Sequence, residues 1–174
     1  MLAVQSSRSC IDVRLLERLF HGCFYRSHHT QVIGGADEPF YQPARDGRAA
    51  QIHYRQDFLR SLLHEVAHWC LATGARRKLP DYGYWYQSDD RDPTAQSAFY
   101  AVEARPQALE QLFCDALGLP FSASSDNPGG DIEPLVEARF SARIAAHRDQ
   151  LLARGLPARA ALFLVVSGRL PNHR

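Results

Sequence analysis

The chain has 174 residues, of which 45% are apolar and 22% are charged, and its formal net charge is +1. This composition is typical of a globular protein with a substantial hydrophobic core and argues against a disordered chain. The near-neutral charge argues against a strongly basic nucleic-acid binder, so no direct contact with nucleic acid is expected. We expect one compact domain over residues 1–174, with its core between residues 14 and 168.

The sequence also bears on cellular location. No stretch approaches the roughly 18 continuous apolar residues of a membrane span, and the first ten residues, MLAVQSSRSC, lack the apolar core of a signal peptide. The four cysteines are scattered, with no C-x-x-C pair, which favours reduced thiols. These features predict a cytoplasmic protein that does not contact a membrane.

The first predicted element is a helix from Ile11 to Phe24, because apolar residues recur there at helical spacing. Asp12 is placed to cap its N-terminus. A region rich in short β-prone segments follows, broken by glycines, a proline and an Asp-Gly pair, which is typical of a few short strands. These segments are 31–33, 39–42 and 51–54.

Two longer helices are predicted in the middle of the chain. The first runs from Asp57 to Thr73, with Gly74 as the residue just past its C-terminus and three cations at 76–78 beyond it. The second runs from about Pro106 to Leu117, with the proline near its first turn and Gly118 after its end. The aromatic and acidic segment between them, residues 81–93, is predicted to be an irregular loop.

The last part of the chain is predicted to contain a turn-rich loop at 122–134 and two closing helices, at 134–153 and 157–168. Gly155 and Pro157 separate these two helices. Taken together, the elements predict an α+β fold that is mainly helical and has a small sheet.

The stretch HEVAHW, within the helix predicted for 57–73, carries the strongest chemical signal. Residues four apart lie on the same face of a helix, so His64 and His68 can present two imidazole nitrogens to one divalent metal ion. Glu65 projects about a hundred degrees around the helix and can reach a bound water. The motif therefore predicts a zincin-like HExxH helix. The alternative is that both histidines are packed, hydrogen-bonded structural residues.

A specific site needs a third protein ligand. Leu71 and Gly74 stand where a metzincin would have its glycine and its third histidine, and the only methionine is Met1, which excludes that class. A carboxylate from a later helix is the remaining standard solution. Two histidines and a carboxylate suit both Zn²⁺ and Fe²⁺, so the ligands alone leave the metal open. The candidate carboxylates are Glu103, Glu110 and, less well placed, Asp115.

Further blocks of sequence surround this motif. They are HEVAHWC at 64–70, DYGYWY at 81–86, VEARPQALEQLFC at 102–114 and SDNPGGDIEP at 125–134. HExxH alone is unspecific, whereas its combination with GYWY, RPQALEQLFC and DNxxGD is specific. In this combination the chain resembles the elongation factor P hydroxylase family, from about Leu15 to Leu164.

The resemblance implies a cytoplasmic, non-haem, metal-dependent hydroxylase of the monooxygenase type that uses O₂ as co-substrate. Its implied partner is translation elongation factor P, on which it hydroxylates a β-lysyl-modified lysine as the last step of that modification. The implied metal ligands are His64, His68 and Glu103, with Fe(II) favoured, and Glu65 is the implied catalytic group. The alternative from residue chemistry is a zincin-type zinc metallopeptidase with Glu65 as general base.

The aromatic and acidic loop is predicted to bind the substrate. A lysyl-lysine side chain is a long methylene stem that ends in ammonium groups, which carboxylates can pair with and aromatic rings can enclose. The alternative is that the rings belong to the core and the aspartates cap turns. The chain has no G-x-G-x-x-G fingerprint and no H-x-D spacing around the motif, so the electron source and any use of 2-oxoglutarate stay open. The predicted substrate-binding residues are Asp81, Tyr84, Trp85, Tyr86 and Asp92.

Overall fold

A computed structural model describes residues 11–84, 91–125 and 133–170. The α+β class predicted from the sequence is confirmed, because most of these residues are helical and a small sheet packs beside the helices. The elements in chain order are α1 (Val13–His28), β1 (Thr30–Ala36), β2 (Phe40–Gln42), β3 (Ala50–Arg55), α2 (Leu59–Leu71), α3 (Pro93–Leu117), α4 (Pro134–Arg154) and α5 (Ala158–Ser167).

Helix α1 begins as predicted. The Asp12 side chain accepts a hydrogen bond of 2.9 Å from the Arg14 N–H, which satisfies one of the free donors of the first turn. Leu16, Phe20 and Phe24 recur every four residues and are fully buried. The helix continues to His28, beyond the predicted end, because no glycine or proline lies between Phe24 and His28.

The three predicted β segments are confirmed as strands of one sheet with the order β1-β3-β2. Strand β1 pairs parallel to β3, with Val32 opposite Ile52, and β2 pairs antiparallel to β3, with Tyr41 opposite Ile52. Alternate residues of β1 and β3 point into the core, as expected for a sheet with one buried face. The chain leaves β3 at Arg55 and enters α2 after a short turn.

The prediction that Gly74 terminates α2 was wrong. The helix ends at Leu71, and Ala72 after it has extended dihedral angles (φ −63°, ψ 131°). Arg159 Nη2 donates hydrogen bonds to the carbonyls of Trp69, Cys70 and Ala72, at 3.0, 2.9 and 2.7 Å. Because an arginine from α5 satisfies these free carbonyls, the helix end does not need a left-handed glycine.

The predicted start of α3 was also wrong, whereas its end at Gly118 is confirmed. The helix begins at Pro93, capped by Asp92, whose side chain accepts a hydrogen bond of 2.7 Å from the Ala95 N–H. Pro106 lies inside the helix, where it has no N–H to donate to the preceding turn. The Asp92-Pro93 pair is the stronger start signal, and packing on α2 and α4 retains the helix through Pro106.

Helices α4 and α5 confirm the predicted closing pair, with Gly155 (φ 87°) and Pro157 between them. Within the described ranges, no single helix is long and apolar enough to cross a membrane. The pair α4 and α5 reaches that length and composition only together, across a bend of 96°. The described cysteines, Cys23, Cys70 and Cys114, are free thiols.

Helix α2 lies at the centre of the molecule, in contact with β3, α3 and α5. Trp69 is fully buried and packs edge-on against Phe20 and Phe24 of α1, with ring centroids 5.3 and 4.9 Å apart. The side of α2 that faces α3 is not apolar, because polar and charged residues lie along it. That polar side positions the candidate site.

Candidate metal centre

Two helices build the site from polar residues at helical spacing. Arg60, His64 and His68 follow one another every four residues along α2, and Glu103 and Glu110 lie seven residues apart on α3. We call these five residues the polar seam. Arg60 pairs with Glu110 and His68 with Glu103, so the two helices run antiparallel.

The side chains of Glu103 and Glu110 are almost completely buried, each with 2% of the residue surface exposed. Burying two carboxylates costs free energy unless cations or hydrogen-bond donors pair with them. A purely structural core would place apolar residues at these positions. Packing alone therefore does not explain the polar seam.

Three atoms of the polar seam converge on one point. His64 Nε2 and His68 Nε2 are 3.1 Å apart, and each lies 3.3 Å from Glu103 Oε2. Ligands about 2.0–2.2 Å from a tetrahedral ion lie about 3.3–3.6 Å from one another, close to the edges of this triangle. His64, His68 and Glu103 thus form a group that could hold a divalent metal ion.

The second oxygen of Glu103 supports the same assignment. Glu103 Oε1 is buried and has no hydrogen-bond partner among the described residues. An unsatisfied buried acceptor costs about 1–3 kcal/mol, and a cation beside the carboxylate would compensate for that cost. The donor set therefore fits a metal ion better than it fits a closed hydrogen-bond network.

The electrostatics of the seam favour a cation. Burial by itself raises the pKa of Glu103, but the two neighbouring histidines reverse this and hold that pKa well below its usual range. Burial also lowers the pKa of His64, yet the carboxylates of Glu103 and Glu110 outweigh it and raise that pKa well above its usual value. The anionic charge of the carboxylates thus attracts a positive charge to this point, either protons or a metal ion.

Glu110, the other strong candidate for the third ligand, faces away from the triangle. Its Oε2 accepts a hydrogen bond of 3.0 Å from His64 Nδ1, and its Oε1 accepts from Arg60 Nε at 2.9 Å and from Arg60 Nη2. Both oxygens are therefore occupied. Asp115, the weaker candidate, lies at the surface and pairs with Arg148 at 2.9 Å.

Glu65 is buried beside the two histidines on α2, and burial raises its pKa. The ring of Tyr82 lies parallel to the His68 ring at a centroid distance of 6.3 Å and stacks on Tyr41 at 4.3 Å. Tyr82 has a left-handed backbone (φ 57°), which is unfavourable for a bulky residue. Its packing places an aromatic wall next to the candidate ligands. A catalytic role of Glu65 stays a prediction.

The predicted substrate-binding residues have structural contacts where the structure describes them. Asp81 accepts a hydrogen bond of 2.7 Å from the Tyr41 N–H, and Asp92 caps α3. The Arg76 guanidinium lies over the ring of Tyr84, at 4.2 Å from its centroid. These contacts agree with the alternative in which the aspartates hold turns, and substrate binding stays a prediction. Trp85 and Tyr86 lie outside the described residues.

The sequence reasoning missed Arg60. The signal was its spacing, since Arg60 precedes His64 by the same four residues that separate His64 from His68. An arginine on the face of a predicted metal helix indicates a carboxylate on the facing element. That carboxylate is Glu110.

Comparison with known proteins bears on this site, because a family model described as elongation factor P hydroxylase matches residues 19–169. The chain belongs to the elongation factor P hydroxylase family. One relative, the elongation factor P lysine hydroxylase of Haemophilus influenzae, is 40% identical over 147 residues, which are 82% of this chain and 79% of that protein. The whole polar seam lies inside the range matched to the elongation factor P hydroxylase family, and the resemblance drawn from the sequence blocks is confirmed.

Proposed function

We propose that this protein hydroxylates a lysine of elongation factor P, using a divalent metal ion held by His64, His68 and Glu103. The observation that carries the proposal is the triangle of two Nε2 atoms and one carboxylate oxygen, with edges of 3.1 and 3.3 Å, within a chain of this family. We assign elongation factor P as the substrate because the family and the relative are both named for it.

In a chain of a hydroxylase family, the metal we assign to this ligand set is Fe(II), with O₂ as co-substrate. Two histidines and one carboxylate leave several coordination positions open, which is typical of non-haem iron proteins that activate O₂. His64, His68 and Glu103 would hold the ion, and Fe(II) bound there would supply the electron transfer to O₂ that hydroxylation requires. In the overall balance, one oxygen atom enters a C–H bond, and the other leaves as water after uptake of two protons and two electrons from an external reductant.

The chain's own residues then have separate tasks. The neighbouring histidines hold the pKa of Glu103 low, so that Glu103 keeps a negative charge beside the two imidazoles. Glu65 is buried one position after His64, and burial raises its pKa and so favours its protonated form; we assign proton handling to it. His68 and Glu103 are buried, which limits access of bulk water to the ligand atoms.

The substrate side chain in this proposal is the β-lysyl-modified lysine, and its hydroxylation is the last step of that modification. The loop that begins at Asp81 starts next to the ligands, since Tyr82 packs beside His68. We assign contacts with the long cationic side chain to Asp81, Tyr84, Trp85, Tyr86 and Asp92, because carboxylates and aromatic rings suit ammonium groups on a methylene stem.

Mass spectrometry of elongation factor P tests this proposal directly. In cells that carry the β-lysyl modification, deletion of the gene should remove the mass of one oxygen atom from the modified lysine. Wild-type protein and Asp115→Asn should restore that mass, whereas Glu103→Ala should not, because it removes a metal ligand. If the oxygen stays on the lysine in the deletion strain, the proposal is wrong.

The zinc metallopeptidase alternative uses the same ligands with Glu65 as general base. The family comparison favours the hydroxylase. Metal analysis of protein purified without air separates the two, since the hydroxylase should retain iron and should not cleave peptides. One equivalent of tightly bound zinc together with peptide cleavage would instead support the peptidase.

A further inference from the structure

Glu110 lies beside the candidate ligands and contacts one of them from behind. We propose that Glu110, held by Arg60, is a positioning residue that fixes the ring and the tautomer of His64 so that Nε2 faces the metal. This inference rests on the proposed function, because the metal is what His64 Nε2 is presented to.

The tautomer follows from the hydrogen bond between His64 and Glu110. An ionised carboxylate can only accept, so His64 Nδ1, at 3.0 Å from Glu110 Oε2, carries the hydrogen. Glu110 is ionised because it forms an ion pair with Arg60, whose Nε and Nη2 both donate to its Oε1. In a neutral imidazole the lone pair is then on Nε2, the atom that lies in the triangle with His68 and Glu103.

Arg60 holds this carboxylate from the other side. Its Nε and Nη2 both donate to Glu110 Oε1, which prevents rotation of the carboxylate and balances its charge. Arg60 is itself held, because Nη1 and Nη2 donate to the Ser122 side chain and carbonyl at 3.0 Å and its guanidinium lies over Phe121 at 5.0 Å. With both oxygens occupied, Glu110 supports a ligand rather than competing as one.

The two histidines differ in this support. Among the described residues, a carboxylate contacts Nδ1 of His64, whereas the carboxylate near His68 contacts its Nε2. A change at Glu110 should therefore alter the ring of His64 and leave the tautomer of His68 unchanged. This difference distinguishes a positioning role from a general loss of packing, because a general loss of packing would not be confined to the ring of His64.

The main variant is Glu110→Gln, which keeps the size of the side chain. A glutamine has one acceptor oxygen and one NH₂ group. If the oxygen accepts from His64 Nδ1, the NH₂ group faces the donors of Arg60, so the contact with His64 or the contact with Arg60 is lost. The matched control is Asp115→Asn, which neutralises an arginine-paired carboxylate on the same helix but at the surface. The second variant is Arg60→Met, because Arg60 lies on the partly exposed side of the polar seam.

Two measurements are made on the purified full-length proteins. Competition of Co²⁺ and Zn²⁺ against a chelator gives the metal affinity, and ¹H–¹⁵N spectra of the histidine-labelled, Zn²⁺-loaded proteins, in which the ligand rings are neutral, give the tautomers. We expect Glu110→Gln to lower metal affinity by about 10- to 100-fold and to change the tautomer of His64. Arg60→Met should lower affinity in the same direction by a smaller factor, and Asp115→Asn should match the wild type.

Unchanged affinity and an unchanged His64 tautomer in Glu110→Gln would overturn the positioning role. If Glu110→Gln does not fold, Arg60→Met decides, and wild-type affinity in that variant overturns it. His64→Ala and Glu103→Gln separate this inference from the proposed function. If they lose metal while Glu110→Gln retains it, only the positioning role is wrong; if they retain metal, the metal site itself is wrong.

Discussion

The two glycines of β1 show how single residues can mislead a sequence interpretation. Gly34-Gly35 suggested a break after a segment at 31–33, yet β1 continues to Ala36 with a shift of register between Ile33 and Ala36. A Cβ on Gly34 would lie 2.6 Å from the Tyr54 hydroxyl oxygen. Glycine therefore marks an irregular strand that another side chain approaches closely, rather than the end of the strand.

Replacing Gly34 by alanine should destabilise the protein by about 1–3 kcal/mol, because the buried Tyr54 ring must move. That ring cannot move freely, since its hydroxyl donates to Glu17 Oε1 at 2.8 Å. Gly22→Ala is the matched control, because Gly22 lies in α1 with no atom within 4 Å of an added Cβ. It should stabilise the protein by about 0.5–1 kcal/mol. Urea unfolding measures the stability of both variants. Equal unfolding midpoints for the two would contradict the close approach of Tyr54 to Gly34.

At the scale of elements, local patterns predicted the helices better than they predicted helix ends. The periodicity of α1, α2, α4 and α5 and the cap at Asp12 were readable from nearby residues. The end of α2 was not readable, because the side chain that satisfies its carbonyls comes from Arg159, far along the chain. The start of α3 was missed because Pro106 was taken as a first-turn residue, although it lies inside the helix.

The choice of ligand belongs to the same scale. Glu103 and Glu110 lie seven residues apart, close to two helical turns, so both project from the same side of α3. The sequence left Glu103 and Glu110 as the stronger candidates for the third ligand and Asp115 as a weaker one, and the ranking of Glu103 above Glu110 came from the resemblance. The antiparallel packing of α3 on α2 makes the difference, because it brings Glu103 to both Nε2 atoms and Glu110 to Arg60.

The arginine at the end of α2 allows a prediction about this element. Arg159→Met keeps most of the apolar stem but removes three hydrogen bonds from a charged donor, and it should destabilise the protein by about 2 kcal/mol. The same guanidinium lies 4.8 Å from the Trp69 ring, which adds to the loss. Thermal or urea unfolding gives the difference in free energy.

The control for this substitution is Arg139→Met, at an exposed position of α4. A surface change of this kind should alter the free energy of unfolding by no more than about 0.5 kcal/mol. If Arg159→Met and Arg139→Met have the same stability, Arg159 does not stabilise the end of α2. The α2 termination would then need another explanation.

At the scale of the whole molecule, the candidate ligands join elements that are distant in sequence. His64 and His68 belong to α2, which contacts the sheet and α5, and Glu103 belongs to α3, which packs on α4. A metal ion bound by all three residues would connect these two halves of the core. It would also supply a partner for Glu103 Oε1, which has none among the described residues. Metal binding should therefore stabilise the folded chain as a whole.

The size of this effect can be stated. A free metal concentration one hundred times the dissociation constant should stabilise the folded state by about 2.7 kcal/mol, provided the unfolded chain does not bind the ion. For a chain of this length that free energy corresponds to an increase in Tm of roughly 5–10 °C. Calorimetry with Fe²⁺ or Zn²⁺ under exclusion of air, compared with chelator-treated protein, measures the increase.

The variant that isolates the site is His64→Ala, compared with itself in the presence and absence of metal. Any loss of packing from the substitution affects both samples equally, so only the metal-dependent increase in Tm is compared with that of the wild type. The increase should disappear in His64→Ala and persist in Asp115→Asn. An equal increase in His64→Ala would mean that the ion binds elsewhere on the chain, and the connection of α2 to α3 through a metal would then be wrong.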